Sequence, residues 1–274
     1  MLRLLFPFIF IIFSFSSKSQ SYISNVIKLN KDTSISTTEV SIEEWMSFII
    51  SNNFDEILFP DTTRISNVAK IVFNDLRNKN NFTYLTLKRR ARESYNYTFH
   101  NSNKIISLKN KAFKELLKID TIYFSLKVPV TGISYEQANL FCKWKENQIN
   151  KETKFKVIVS LPSIDIYKKI IENRDSTNAE KCALYNAKYC NCLAVEKNKD
   201  NKYQGKCLMR VDSYWPNDLG LYNLQGNASE MTNIKGIAVG GSFRHYAIES
   251  LNTKKQEYSK PEDWLGFRYL IINQ

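Results

Sequence analysis

Histidine is almost missing from this chain: its 274 residues include two, His100 and His245. A three-histidine iron site cannot be built from them. The one long apolar run, Leu4 to Phe15, falls short of the roughly 20 residues that a membrane-crossing helix needs. No cysteine follows that run, so it offers no thiol for lipid attachment. Glycine (8) and proline (6) are scarce, and neither an internal repeat nor a low-complexity linker divides the chain. The five cysteines contain no Cys-x-x-Cys knuckle of the kind that builds structural zinc sites, and none lies between Ser242 and the C-terminus.

What is present begins with a leader. Arg3 supplies a positive start, Leu4 to Phe15 an apolar stretch, and Ser17-Lys18-Ser19 small residues before a cut at Gln20. Residues 1–19 therefore read as a cleaved secretory signal, and the mature chain as secreted or periplasmic with no transmembrane span. Removing Arg3 and Lys18 leaves 37 basic against 27 acidic residues, a balance of +10. The densest basic cluster is Lys88, Arg89, Arg90 and Arg92. Nucleic-acid binding would require stacking aromatics beside it and is excluded by secretion. The cluster reads as a solvated face or as a contact with an anionic surface or an acidic protein.

Cys182, Cys190, Cys192 and Cys207 crowd one stretch, while Cys142 stands alone. In an oxidising compartment, clustered cysteines staple loops. Disulfides come first among the readings, ahead of free thiols, including a reactive Cys-x-Cys pair, and of a four-thiolate zinc site. A bridge from Cys190 to Cys192 would close a very small ring, so each is expected to pair outward. Cys142 is expected to be reduced and buried, as a small apolar residue.

Local order is legible in places. Residues 20–32 form a polar lead-in, and a first strand is expected within 21–35. Ser41-Ile42-Glu43-Glu44 is a capping box, and Trp45, Phe48 and Ile49 follow at helical spacing, which predicts a helix over 41–51. Ser134 and Gln137 form a second box ahead of Ala138, Phe141, Cys142 and Lys145, with Trp144 near that face. Ser163 is placed to cap a helix that carries Tyr167 inward. Between them, 64–127 yields only a helix over Val68–Leu76 and candidate strands at Phe82–Leu87 and Ile119–Leu126.

Three blocks near the C-terminus carry the strongest signal. They are Asn217-Asp218-Leu219-Gly220-Leu221-Tyr222-Asn223-Leu224-Gln225-Gly226-Asn227-Ala228-Ser229-Glu230, then Gly240-Gly241-Ser242-Phe243, then Leu265-Gly266-Phe267-Arg268. In that order they resemble the formylglycine-generating enzymes, also called sulfatase-modifying factors. Thr38-Glu39-Val40, the Val128–Ala138 stretch and Ser160-Leu161-Pro162-Ser163 resemble the same family. The resemblance implies one domain over 33–274 with a variable middle at 64–127. It implies an α+β fold, the formylglycine-generating-enzyme variant of the C-type-lectin fold, loop-rich with few short helices. It also implies a structural Ca²⁺ on Asn223, Gly226, Ala228 and Glu230, a set of oxygen donors that suits a hard cation.

The family's chemistry needs two cysteines that bind copper and oxidise a substrate cysteine to formylglycine. Counted from Gly240-Gly241-Ser242, their positions fall on His245 and Ser250. Without a thiolate pair no copper is expected, and no catalytic residue is assigned. A nucleophile–base pair from His245 and Ser250 would need an orienting carboxylate, for which Glu249 and Glu257 are near in sequence; an ordinary polar loop is the favoured reading. The expected function is a non-catalytic binding or structural module with a protein or peptide partner. Phe59-Pro60-Asp61-Thr62 resembles a turn in family members from gliding motility and type IX secretion, which are lipoproteins; the missing lipid-site cysteine is a departure from them. An oxidase or other enzyme with relocated residues is the alternative.

Overall fold

The computed structural model describes residues 25–78, 126–153, 156–172, 190–192, 207–214, 216–246, 249–250 and 254–274. The expected strands at Phe82–Leu87 and before Leu126, the basic cluster at 88–92 and Cys182 lie outside them. Two small sheets carry the architecture. The first joins β1 (Val26–Lys28), β2 (Thr33–Ser36), β8 (Leu270–Asn273) and β3 (Val157–Ser160) in that order, all antiparallel. The second has the order β6 (Gln256–Glu257), β5 (Ile237–Val239), β4 (Ser229–Met231), β7 (Leu265–Gly266), and β7 runs parallel to β4. The chain thus closes on itself: its first strands pair with its last, and β1 lies in the stretch expected as a polar lead-in.

Among the described residues the α-helices are α1 (Ile42–Ser51), α2 (Asn67–Arg77), α3 (Tyr135–Glu152) and α4 (Ile164–Glu172). Each starts where a serine satisfies an orphan backbone N–H. Ser134 and Gln137 form the complete reciprocal box at α3. At α1 the Ser41 hydroxyl accepts from the Glu44 N–H, but the Glu44 carboxylate turns to the Lys145 ammonium at 2.6 Å instead of reaching back. Lys145 is itself buried, and a buried charge needs its partner more than a helix end needs a second cap.

The inward faces of α1 and α3 meet in an aromatic core. The Trp45 and Phe141 rings stack at 5.6 Å, and Phe48 and Phe267 meet them edge-on. Cys142 is buried and free as expected, and burial raises its thiol pKa, so it is inert. The α3 helix also covers the open edge of β3. The Val157 N–H donates to the Asn150 side chain and the Val159 N–H to the Glu146 carboxylate. Those two donors would otherwise invite another strand.

Candidate functional site

The turn between Asn223 and Glu230 is built on three left-handed residues: Asn223 (φ 50°), Gly226 (φ 79°) and Asn227 (φ 63°). Asparagine tolerates this region and glycine adopts it freely. At Gly226 a side chain has no room, since a Cβ would lie 2.6 Å from the Asn191 carbonyl oxygen. Residues 190–192 lie against this turn, with Asn191 bridged to Gly226 and the Asn227 N–H donating to the Asn191 carbonyl at 2.8 Å.

The side chains of the turn face a buried charged cluster. Glu230 and Arg268, 1% and 0% exposed, form a two-pronged ion pair: Arg268 Nη2 donates to Oε1 at 2.5 Å and Nε to Oε2 at 2.6 Å. Tyr167 donates its hydroxyl to Oε2 at 2.6 Å. The remaining Arg268 protons hold the carbonyls of Ser36, Thr37 and Tyr222. Burial works against the Arg268 charge, the Glu230 carboxylate favours it, and the guanidinium is held above its ordinary pKa. The Tyr167 hydroxyl is likewise pushed well up, by burial and then by the Glu230 charge.

A second carboxylate, Glu39, enters from the start of the domain at 1% exposure. Its two oxygens accept amide protons from Asn227 at 2.9 Å and Asn223 at 3.1 Å. Those bonds suit the ionised form, but loss of hydration outweighs them. With Arg268 lowering and Glu230 raising it further, the carboxyl is pushed up to about 8. Two acids therefore share one guanidinium.

Of the four residues expected to hold calcium, Glu230 lies within this cluster and Asn223 bonds to its second carboxylate. Asn223 Oδ1 is buried with no hydrogen-bond partner, although the same side chain's Nδ2 donates to Glu39 and to the Arg210 and Val211 carbonyls. An orphaned amide oxygen beside a surplus carboxylate is the kind of donor a hard cation takes. Glu230 Oε1 receives Arg268 and keeps lone-pair capacity. Of the expected Ca²⁺ set, Asn223 Oδ1 is an unpartnered oxygen donor, while both Glu230 oxygens already receive Arg268. Ser229, beside them, is fully buried with an unpartnered hydroxyl.

His245 and Ser250 are not brought together as a pair. His245 Nδ1 is 2.7 Å from the Ser242 hydroxyl, and its ring meets Trp264 edge-on at 5.0 Å. Burial lowers the imidazole pKa, against a smaller opposing pull from Glu249, so the ring is neutral near pH 7. The Glu249 carboxylate accepts from the Tyr246 N–H and does not orient the histidine through a described bond. Ser250, 1% exposed, bonds to the Tyr246 carbonyl and closes against Gly241, where a Cβ would meet its oxygen at 2.3 Å. An imidazole bonded to one hydroxyl and a second hydroxyl packed on backbone supply no thiolate, so this donor set does not fit copper.

Cys190 and Cys192 are joined to each other rather than pairing outward, and Cys207 is free and exposed. The turn geometry accounts for this: Asn191 is pinned to Gly226 and Asn227, which holds its two neighbours side by side. Glu39, Asn227, Arg268 and Asn191 carry more of the site than the sequence reading gave them. Their signal was present as polar or charged residues within apolar or turn-forming segments, such as Arg268 between Phe267 and Tyr269.

The chain matches the Sulfatase-modifying factor enzyme 1-like domain over residues 16–272. Among solved structures, PvdO from Pseudomonas aeruginosa is similar at 12% identity and a TM-score of 0.48, covering 90% of this chain and 82% of its own. Treponema denticola variable protein 1 shares 14% identity with a TM-score of 0.47, covering 91% of each chain. CarF shares 14% with a TM-score of 0.48, covering 91% of this chain and 96% of that one. No curated protein matches the chain by sequence.

Proposed function

Because the chain belongs to the sulfatase-modifying factor enzyme 1-like family, with the α+β, loop-rich fold of that family, we propose that it serves as a binding or structural module without the family's oxidation chemistry. The observation that carries this reading is the closed state of the two expected redox positions. His245 is bonded to Ser242, and Ser250 is packed on Gly241. Oxidising a cysteine through copper requires soft sulfur ligands, and this pair offers none. Around them, Arg244 is paired with Asp263, Tyr246 is 48% exposed and Trp264 is partly buried. Exposed aromatic and charged groups over a rigid floor suit a protein or peptide partner.

Secretion or periplasmic export, and a place in a gliding or type IX secretion assembly, complete the proposal. The leader-like residues 1–19 and the Phe59–Thr62 turn support it. Among the described residues no helix is long and apolar enough to cross a membrane. The purified protein is expected to leave the cysteine of a sulfatase-type peptide unconverted, with or without copper. Detecting formylglycine in that peptide by mass spectrometry would overturn the reading.

The same reading includes a structural calcium ion held by Asn223, Gly226, Ala228 and Glu230. Bound there, it would add positive charge beside Glu39 and Glu230 and so favour the ionised form of the Glu39 carboxyl. A ligand that binds only the folded state raises the melting temperature. Calcium is therefore expected to raise it and chelator to reverse the rise, and Asn223→Ala is expected to remove the calcium response. A melting temperature indifferent to calcium in the wild type would leave the turn metal-free.

A further inference from the structure

The Ser242 hydroxyl holds together the turn that carries His245. Its oxygen accepts the Arg244 N–H at 3.1 Å and lies 2.7 Å from His245 Nδ1. The His245 N–H donates to the Ser242 carbonyl at 3.0 Å. Ser242 is 0% exposed, so solvent does not complete its bonding. A hydroxyl has one proton to give. Among the described residues Nδ1 is the acceptor within its reach, so the hydroxyl donates there and the neutral ring carries its own proton on Nε2. In that state each of these groups is satisfied. A proton added to Nδ1 removes the acceptor. The ring then faces an oxygen that already receives Arg244, and the Ser242 proton is left without a partner in a buried site.

We propose that Ser242 and His245 form a pH-operated latch, closed while the imidazole is neutral and released when it takes up a proton. Release frees the 242–246 segment, and with it the exposed Arg244 and Tyr246 side chains. The charged groups around the ring are few. Glu249, whose carboxylate accepts the Tyr246 N–H, favours the imidazolium. Asp263 is paired with Arg244 and precedes Trp264, whose ring meets His245 edge-on at 5.0 Å. Burial outweighs the pull of Glu249, so release falls on the acid side of the ordinary histidine range. Once released, the segment no longer presents Arg244 and Tyr246 over a fixed floor, and a partner held there at neutral pH is discharged in acid. That use rests on the binding-module reading; the latch itself is measured without any partner.

The test uses the full mature chain carrying His100→Gln, which leaves His245 as the sole imidazole. Its proton resonances follow the titration. Amide hydrogen exchange of the 242–246 segment, divided by the intrinsic rate at each pH, follows the release. Exchange of the Arg244 and His245 amides is expected to rise at least about tenfold as the ring titrates, while the β4–β5 pair stays protected. Ser242→Ala removes the hydroxyl that favours the neutral ring and is expected to move the midpoint up by about one pH unit. Glu249→Gln is expected to move it down. His245→Asn, whose amide oxygen takes the place of Nδ1 without titrating, is expected to keep the segment protected throughout. A midpoint that falls in Ser242→Ala would mean that the ring donates to the hydroxyl, which sinks the latch. Exchange that stays flat while His245 titrates does the same. So does a transition that survives in His245→Asn, because it would then belong to Glu249 or Asp263.

Discussion

Replacing Arg268 with methionine is expected to cost about 3–5 kcal/mol of folding stability, read from the midpoint of denaturant unfolding. The guanidinium is fully buried and donates to both oxygens of Glu230. Methionine fills much of its volume but leaves a carboxylate in the core with only the Tyr167 hydroxyl to answer it. It also strands the carbonyls of Ser36, Thr37 and Tyr222, which join β2, the segment after it and the Asn223 turn. Arg268→Lys is expected to recover only part of the loss, because an ammonium cannot reproduce the two-pronged geometry or reach three carbonyls at once. Removing the charge on both sides, in Arg268→Met with Glu230→Gln, is expected to be less costly than Arg268→Met alone, since no unpaired charge remains. A single variant within about 1 kcal/mol of the wild type would show that the ion pair is not central to the fold.

The second large effect is a dependence of stability on pH that runs through Glu39. Its carboxyl is pushed from an ordinary 4.5 up to about 8 in the folded chain, chiefly by burial. Between those values the folded state holds a proton that the unfolded state has released. Stability from this group is therefore highest at the acid end, falls as pH rises from about 4.5 to about 8, and levels off above. Each unit of displacement is worth about 1.4 kcal/mol, so the fall amounts to a few kcal/mol. Glu39→Gln is expected to flatten the slope, because a neutral amide carries no proton to lose. It keeps one acceptor for the Asn223 and Asn227 amides and forfeits the other. Unfolding midpoints across this pH window, measured with chelator present so that bound cation does not mask the carboxylate, decide it. An unchanged slope in Glu39→Gln would place the titration on another group.

The parts of the fold visible in the sequence are those where local chemistry and burial agree. The Ser134–Gln137 box starts α3, and Ala138, Phe141 and Cys142 lie in the core as their spacing predicts. Ser163 opens α4 and Tyr167 is buried, though its hydroxyl serves Glu230 and it is more than an apolar replacement. The three C-terminal blocks gave the family and with it the α+β architecture. The Cys190–Cys192 bond was misread because ring size argues for outward pairing, whereas Gly226 and Asn227 pin Asn191 from a turn 35 residues away in the numbering of this chain. His245 and Ser250 are five apart in sequence, yet each found another partner, Ser242 and the Tyr246 carbonyl.

By itself the sequence determined the helix starts, the apolar faces of α1 and α3 and the order of the family blocks, all of which depend on residues within a few positions of one another. It also determined that no cysteine follows Ser242, so no thiolate pair stands at the positions of His245 and Ser250. Only the tertiary structure decided which charges meet. Glu39, Asn223, Glu230 and Arg268 come from segments that share no local pattern. They converge because β2, β8 and the 223–230 turn close around one buried point, where desolvation forces every charge to find a partner or a proton.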